Sequence, residues 1–315
     1  MRIVFAGTPP AAVPSLEALH ADHDIVSVLT RPDAPVGRKR VLTPSPVKRR
    51  ALELGLPVLE AARLRGDVLG QLEALDADAV AVVAFGAIAG PRALATSRLG
   101  WFNLHFSLLP EYRGAAPVQR ALMDGRTHSG LTVFRIDEGM DTGPVLLQRT
   151  LDLPAADAGA VLASYAREGA GLLAEAFSLL ASGDCALTDQ VGEPSHAAKI
   201  DPEEARLDLT RPAAEVLARF RGVSPSPGAW ATIGGQRTKL AGLSEAGPDD
   251  AVPGPGRIAA VHDGVVLGTG DGAVRVAGIQ PFGKPMMDAA DFLRGRPDAA
   301  FDILDDDEQS GENDE

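Results

Sequence analysis

Asn103, His105 and Ser107 recur at every second position of the run Trp101-Phe102-Asn103-Leu104-His105-Phe106-Ser107. In an extended strand this spacing puts the three polar residues on one face and Phe102, Leu104 and Phe106 on the other. An amide and an imidazole on an otherwise apolar strand are costly to bury unless they are paired or used. Asp141 lies in a glycine-punctuated loop, Asp137-Glu138-Gly139-Met140-Asp141-Thr142-Gly143, just after a strand predicted over 131–136. Two strand ends carrying Asn, His and Asp suggest one site at the carboxyl edge of a sheet. With no activated serine or cysteine beside it, such a set suits transfer of an acyl group to an amine. His105 would take the proton of the attacking amine and pass it to the leaving nitrogen. Asn103 would donate its amide hydrogen to the developing oxyanion. Asp141 would orient His105 or raise its basicity. Ser107 as a nucleophile is the rival chemistry, but its neighbours Phe106 and Leu108 are not the glycines of a nucleophile elbow. On residue types alone, a strand histidine also reads as a satisfied core residue, and an aspartate among glycines as a turn former.

The elements that must position these groups follow from the rest of the pattern. Ala79-Val80-Ala81-Val82-Val83-Ala84-Phe85 is apolar on both faces, as a central parallel strand must be, and ends at Gly86. Residues 2–7 form a strand that meets Gly7-Thr8-Pro9-Pro10 and then a helix over 11–20, the opening of a doubly wound α/β sheet. A lone Gly7 is not a G-x-G-x-x-G fingerprint, so no dinucleotide site is expected there. Strands at 25–30, 56–59 and 145–153 and helices at 46–54, 67–75, 115–124 and 158–180 complete a first domain over 1–182. Residues 183–203 are polar and broken by prolines, as in a linker. Over 204–304 a helix at 213–220 precedes short strands at 229–233, 237–241, 256–261, 265–269 and 273–279, which predict a small β-barrel.

Composition bounds the partners. The 315 residues carry a formal charge of −13, and eight acids from Asp302 onward, with no Lys or Arg among them, leave −5 for everything before. Residues 305–315 therefore read as a disordered acidic tail. Against that background Arg31, Arg38, Lys39, Arg40, Lys48, Arg49 and Arg50 face a single acid, Asp33, within twenty residues. Such a patch can hold a polyanion despite the net charge, because phosphate attraction is local. The single cysteine, Cys185, excludes an intrachain disulfide and a cysteine-based zinc cluster. No apolar run reaches a membrane span, and the chain opens directly on a strand rather than a signal peptide, so a reducing cytoplasm is the expected compartment.

The run Asn103-x-His105-x-Ser107-Leu108-Leu109-Pro110-x-x-x-Gly114, with Asp141 in Asp-x-Gly-x-Asp-Thr-Gly, resembles the folate-dependent formyltransferases. Phe5-Ala6-Gly7-Thr8-Pro9, Arg31-Pro32-Asp33 to Arg38, Pro44-Ser45-Pro46-Val47-Lys48 and Arg113-Gly114-Ala115-Ala116-Pro117-Val118-Gln119-Arg120 are similar to the members that formylate methionyl-initiator tRNA. The likeness covers nearly the whole chain apart from the acidic tail. It implies a Rossmann-like domain with a mostly parallel sheet, followed by an OB-like barrel that helps hold tRNA. It implies 10-formyltetrahydrofolate as formyl donor and methionyl-initiator tRNA as acceptor; no metal is expected, because the formyl carbonyl is already activated and no ligand cluster is present, and a monomer is expected. By the same resemblance Asn103, His105 and Asp141 are catalytic. Ser107, Leu108, Leu109 and Pro110, with Phe85, Gly86, Ile88 and Gly139, would line the folate site. Arg38, Lys39 and Arg40 would meet the tRNA acceptor end. Departures from the family pattern fall at Ala87-Ile88-Ala89-Gly90, at Ser224 to Pro227 and at Lys284-Pro285-Met286. A formyltransferase for another amine, a hydrolase releasing formate, and a non-catalytic RNA-binding protein are the rival readings.

Overall fold

Seven strands build the sheet that carries the site residues in the computed structural model, which describes residues 1–37 and 39–303. From one edge to the other the strands are Val145–Asp152, His128–Arg135, Ser97–His105, Ala77–Val83, Arg2–Gly7, Asp24–Thr30 and Val58–Glu60. Neighbours are parallel except around His128–Arg135, which runs against both of its partners. The inner strands are parallel because apolar residues on both of their faces need cover on both sides. Ile3 to Ala6 and Ala79 to Val83 accordingly lie in the core.

The predicted alternation at the site strand holds. On one face Phe102 meets Phe177 of the helix Ala158–Ser182 edge to face, with ring centroids 6.0 Å apart. Leu104 lies against Gly169 of the same helix. Burial of each of these side chains stabilises the fold by about 2 kcal/mol. On the other face Trp101 packs with Val4, Ala6, Leu29, Val80 and Val82. Asn103 and His105 continue that second face beyond Trp101, so a strand anchored by apolar packing at its centre presents an amide and an imidazole at its carboxyl end.

The helix Pro46–Glu53 begins where Ser45 accepts a hydrogen bond from the Lys48 N–H at 2.9 Å, with proline in its first turn. Residues 31–40, expected as an exposed loop, contain the first strand of an exposed hairpin, Ala34–Val36 with Val41–Thr43. The strand predicted over 273–279 breaks into Ala273–Arg275 and Gly278–Gln280. The helix Ala289–Gly295, not predicted, is capped by the Asp288 carboxylate accepting from the Ala290 N–H. At seven residues it is too short to show a helical period.

The chain divides into two compact units. The first comprises Met1–Pro117, His128–Asp152 and Val161–Ala198; the second comprises Val118–Thr127, Leu153–Ala160 and the described residues 199–303. This departs from the expected division at 182 and 204. Residues 183–198, expected to belong to a linker, are part of the first unit, where His196–Ala197 pairs with Arg113–Gly114 and Thr188 bridges Val145. Their ties are backbone and polar side-chain bonds, which leave no apolar period in the sequence. The second unit carries the expected antiparallel strands as two four-stranded sheets. One runs Trp230–Ile233, Gln236–Ala241, Gly278–Gln280, Met287–Asp288; the other Ser244–Glu245, Ala273–Arg275, Gly264–Gly268, Ile258–Val261. Residues from 304 on, including the predicted acidic tail, lie outside the described residues. Among the described residues no helix is long and apolar enough to cross a membrane.

Candidate active site

His105 sits at the last position of its strand and is 5% exposed. Its Nε2 lies 2.9 Å from the carbonyl oxygen of Tyr112, and its Nδ1 lies 3.7 Å from Asp141 Oδ2. A carbonyl can only accept, so the hydrogen-bond network assigns the proton of the neutral ring to Nε2. Nδ1 is then the basic nitrogen, and it faces the Asp141 carboxylate. Burial lowers the His105 pKa below its ordinary value, while the Asp141 charge and the Tyr112 carbonyl both pull it back up. The neutral ring is therefore the resting form at neutral pH, as a general base requires.

Of the two roles expected for Asp141, orienting His105 or raising its basicity, the geometry favours the second. Orientation of His105 comes from the Tyr112 carbonyl at hydrogen-bond distance. At 3.7 Å the Asp141 carboxylate acts on the ring through charge. Asp141 is held in turn by the Gly114 N–H, which donates to Oδ2 at 2.8 Å. Gly114 has φ +125°, and a Cβ there would stand 2.7 Å from the Ala197 carbonyl oxygen, so only glycine fits. Tyr112 and Asp141 themselves adopt left-handed backbone, φ +57° and +54°. Two of the non-glycine residues with left-handed backbone are thus the ones whose oxygens face the His105 ring nitrogens.

The route to Asp141 also differs from two adjacent strand ends. Strand His128–Arg135 is antiparallel to the site strand, so Arg135 pairs with Phe102 while Thr132 pairs with His105. The loop after it must turn back toward His105 to deliver Asp141. Asn103 is half-buried, and its side-chain amide has no hydrogen-bond partner among the described residues. It lies opposite Val82 in the parallel register, so the Phe85–Gly86 turn leaves its strand close to the same edge.

The residues expected to line a folate site take different positions. Ser107 is buried and its hydroxyl donates to the Glu111 carbonyl at 2.6 Å, so it closes its own loop rather than serving as a nucleophile. The Thr132 hydroxyl donates to the Ser107 carbonyl at 2.7 Å and accepts from the Leu109 N–H at 3.1 Å, fixing the loop to the sheet. Leu109 and Pro110 are buried, and Leu108 rests over Gly130. The Phe85 side chain belongs to the core around Trp101 and Val82. What the turn offers is backbone at Gly86 and the Ile88 side chain, 88% exposed. Thr8 and Arg31 hold that turn by donating to the carbonyls of Phe85 and Gly86. Gly139 is exposed, and its N–H donates to the Asp137 carboxylate.

The basic stretch is partly spent inside the fold. Lys48 pairs with Asp33 and Glu60, Arg50 with Glu17 and Glu53, and Arg31 donates to the Ala62 and Gly86 carbonyls. Lys39 and Arg40 remain exposed on the hairpin turn, and Arg38 lies outside the described residues. A cleft of about 490 Å³ occurs within the second unit, lined by Leu122, Arg126, Pro154, Leu217 and Arg221 among others, and none of the expected site residues reaches it. Tyr112, Gly114 and Gln190 were not anticipated as site residues. Only the glycine, fixed in Arg113-Gly114, left a sequence signal.

Comparison with known proteins places the whole chain. A family model described as formyl transferase matches residues 1–175, and one described as formyl transferase, C-terminal domain, matches 199–297. The methionyl-tRNA formyltransferase of Renibacterium salmoninarum is 47% identical over 297 residues, covering 94% of this chain and 96% of that protein. That of Paenarthrobacter aurescens is 48% identical, covering 94% and 97%. HypX from Aquifex aeolicus, solved in complex with tetrahydrofolic acid, shares the fold with a TM-score of 0.66 at 19% identity. The likeness covers 93% of this chain and 47% of HypX, so the chain spans about half the length of that protein. With both parts matched by family models and nearly half of its residues identical to relatives along almost its whole length, the chain belongs to the formyl transferase family.

Proposed function

We propose that this chain transfers the formyl group of 10-formyltetrahydrofolate to the amino group of methionyl-initiator tRNA, acting as a cytoplasmic monomer. The observation that carries the chemistry is the buried neutral His105, oriented through Nε2 and facing a carboxylate through Nδ1. The acceptor follows from the relatives, methionyl-tRNA formyltransferases alike along nearly the whole chain. The folate supplies a formyl carbon already attached to nitrogen. His105 Nδ1 accepts the proton as the methionyl amine attacks that carbon. The unpartnered Asn103 amide donates to the oxygen as it gains negative charge. Asp141 stabilises the imidazolium. His105 then returns the proton to the departing folate nitrogen as the old carbon–nitrogen bond breaks.

The polar loop bonds and the Gly86 backbone fit a flat donor held by main-chain groups, with Ser107 to Pro110, Ile88 and Gly139 around it. Lys39 and Arg40 supply exposed positive charge for the acceptor end, and the sequence places Arg38 next to them. The test mixes purified protein with 10-formyltetrahydrofolate and methionine-charged initiator tRNA, beside reactions with His105→Ala or without tRNA. Formylmethionyl-tRNA from the native protein and none from the variant is the expected result. Formate released without tRNA would make the protein a hydrolase, and an active His105→Ala would remove the site.

A further inference from the structure

The segment 188–197 touches both halves of the site through side chains that no part of the reaction uses. Gln190 is half-buried, and its amide is fully engaged. Arg113 donates from Nε and Nη2 to Gln190 Oε1 at 3.2 and 2.6 Å. Gln190 Nε2 donates to the carbonyl of Asp141 at 2.8 Å and to that of Gly143 at 2.9 Å. Both amide hydrogens and both oxygen lone-pair positions are thereby used, and only an amide in this orientation can do so. Arg113 stands between Tyr112, whose carbonyl holds His105, and Gly114, whose N–H holds Asp141. A few residues on, Ser195 accepts the Tyr112 N–H on Oγ at 2.8 Å and the Arg113 N–H on its carbonyl at 2.8 Å.

We infer that Gln190 is a positioning residue for the formyl transfer, clamping the Asp141 loop against the Tyr112–Gly114 segment so that the carboxylate stays at its distance from His105 Nδ1. This rests on the reading of His105 and Asp141 as the reacting pair. Asp141 takes a left-handed backbone that an aspartate visits only as a single residue, so the conformation alone does not fix where its loop lies. The loop also reaches His105 from a strand running the wrong way, so nothing in the sheet register fixes it. Without Gln190 the Asp141 and Gly143 carbonyls lose their donor and the Arg113 guanidinium its acceptor.

Gln190→Met tests the clamp, since methionine keeps the length and much of the bulk but none of the four hydrogen bonds. In full-length protein kcat should fall roughly 10- to 100-fold while KM for the donor changes by less than about threefold. The acid limb of the kcat–pH profile should move to lower pH, because a carboxylate free to drift no longer raises the His105 pKa. The charged groups bearing on that titration are Asp141 beside the ring and Arg113 behind the clamp. A melting curve and circular dichroism spectrum like those of the native protein separate this from misfolding. If kcat and the acid limb match the native enzyme, or if the rate falls only with the folded fraction and the limb stays in place, the inference is overturned. His105→Ala run alongside separates the two claims, since retained transfer there would sink the reading of the site itself.

Discussion

Replacing Asp141 by Asn removes one charge and little else, which makes it the sharpest test of what the carboxylate does. The Asn amide oxygen can accept the Gly114 N–H in place of Oδ2, now at 2.8 Å, and Asn tolerates the left-handed backbone at φ +54°. What disappears is the attraction between a carboxylate and a proton arriving on His105 Nδ1, 3.7 Å away. For two unit charges at that separation and an effective dielectric of about 20, the attraction is about 4 kcal/mol. At roughly 1.4 kcal/mol per factor of ten, the ceiling on the loss is about a thousandfold. Partial access of water to Asp141 brings the expected fall in kcat to on the order of a hundredfold. The His105 pKa, lowered by burial and partly restored by Asp141, should fall further, so the acid limb of the pH profile moves down. The assay is single-turnover formyl transfer from 10-formyltetrahydrofolate to methionyl-initiator tRNA across pH 5 to 8. Thermal stability at neutral pH should hardly change, since the neutral ring makes no ion pair in the resting state. A variant keeping more than about a third of the native rate with an unmoved acid limb would refute charge stabilisation by Asp141.

Two further predictions concern stability. Thr132→Val leaves the Ser107 carbonyl and Leu109 N–H without their shared hydroxyl, which should cost about 2–3 kcal/mol, lower the melting temperature by several degrees, and raise the donor KM more than it lowers kcat. His23 is pushed below its ordinary pKa by burial, then by the N-terminal charge, with Asp22 opposing. Its folded pKa being the lower one, its stabilising contribution is complete above the unfolded value near 6.5 and is lost as pH falls through the folded one. Melting temperature should therefore drop between pH 7 and 5, and His23→Leu should flatten part of that slope; an unchanged slope would exclude His23 as a source.

The sequence made part of this site legible for a definite reason. Asn103 and His105 stand out because a period of two is a direct imprint of strand geometry, and the apolar partners Phe102 and Leu104 set the frame. Asp141 was visible as a residue, but the direction of the strand before it was not, because residues 128–135 show the same apolar run whichever way they lie in the sheet. Part of the basic stretch is neutralised inside the fold, since Lys48 meets Glu60 and Arg50 meets Glu17 across sequence distances that composition does not register. Residues 183–203 carry the sequence pattern of a linker because the anchoring of 183–198 is polar and pairwise.

The Tyr112 carbonyl marks a deeper limit. The group that orients His105 is a main-chain oxygen, and any residue able to hold φ near +57° would present it in the same place. Substitution at 112 changes how readily that backbone forms but cannot delete the acceptor, whereas the charge at 141 can be deleted by one atom's exchange. Orientation and charge stabilisation, often assigned together to a carboxylate behind a histidine, are here divided between a backbone atom and a side chain. The Asn-His-Asp trio in the sequence is therefore three members of a four-part arrangement, and the fourth has no residue type by which a motif could record it.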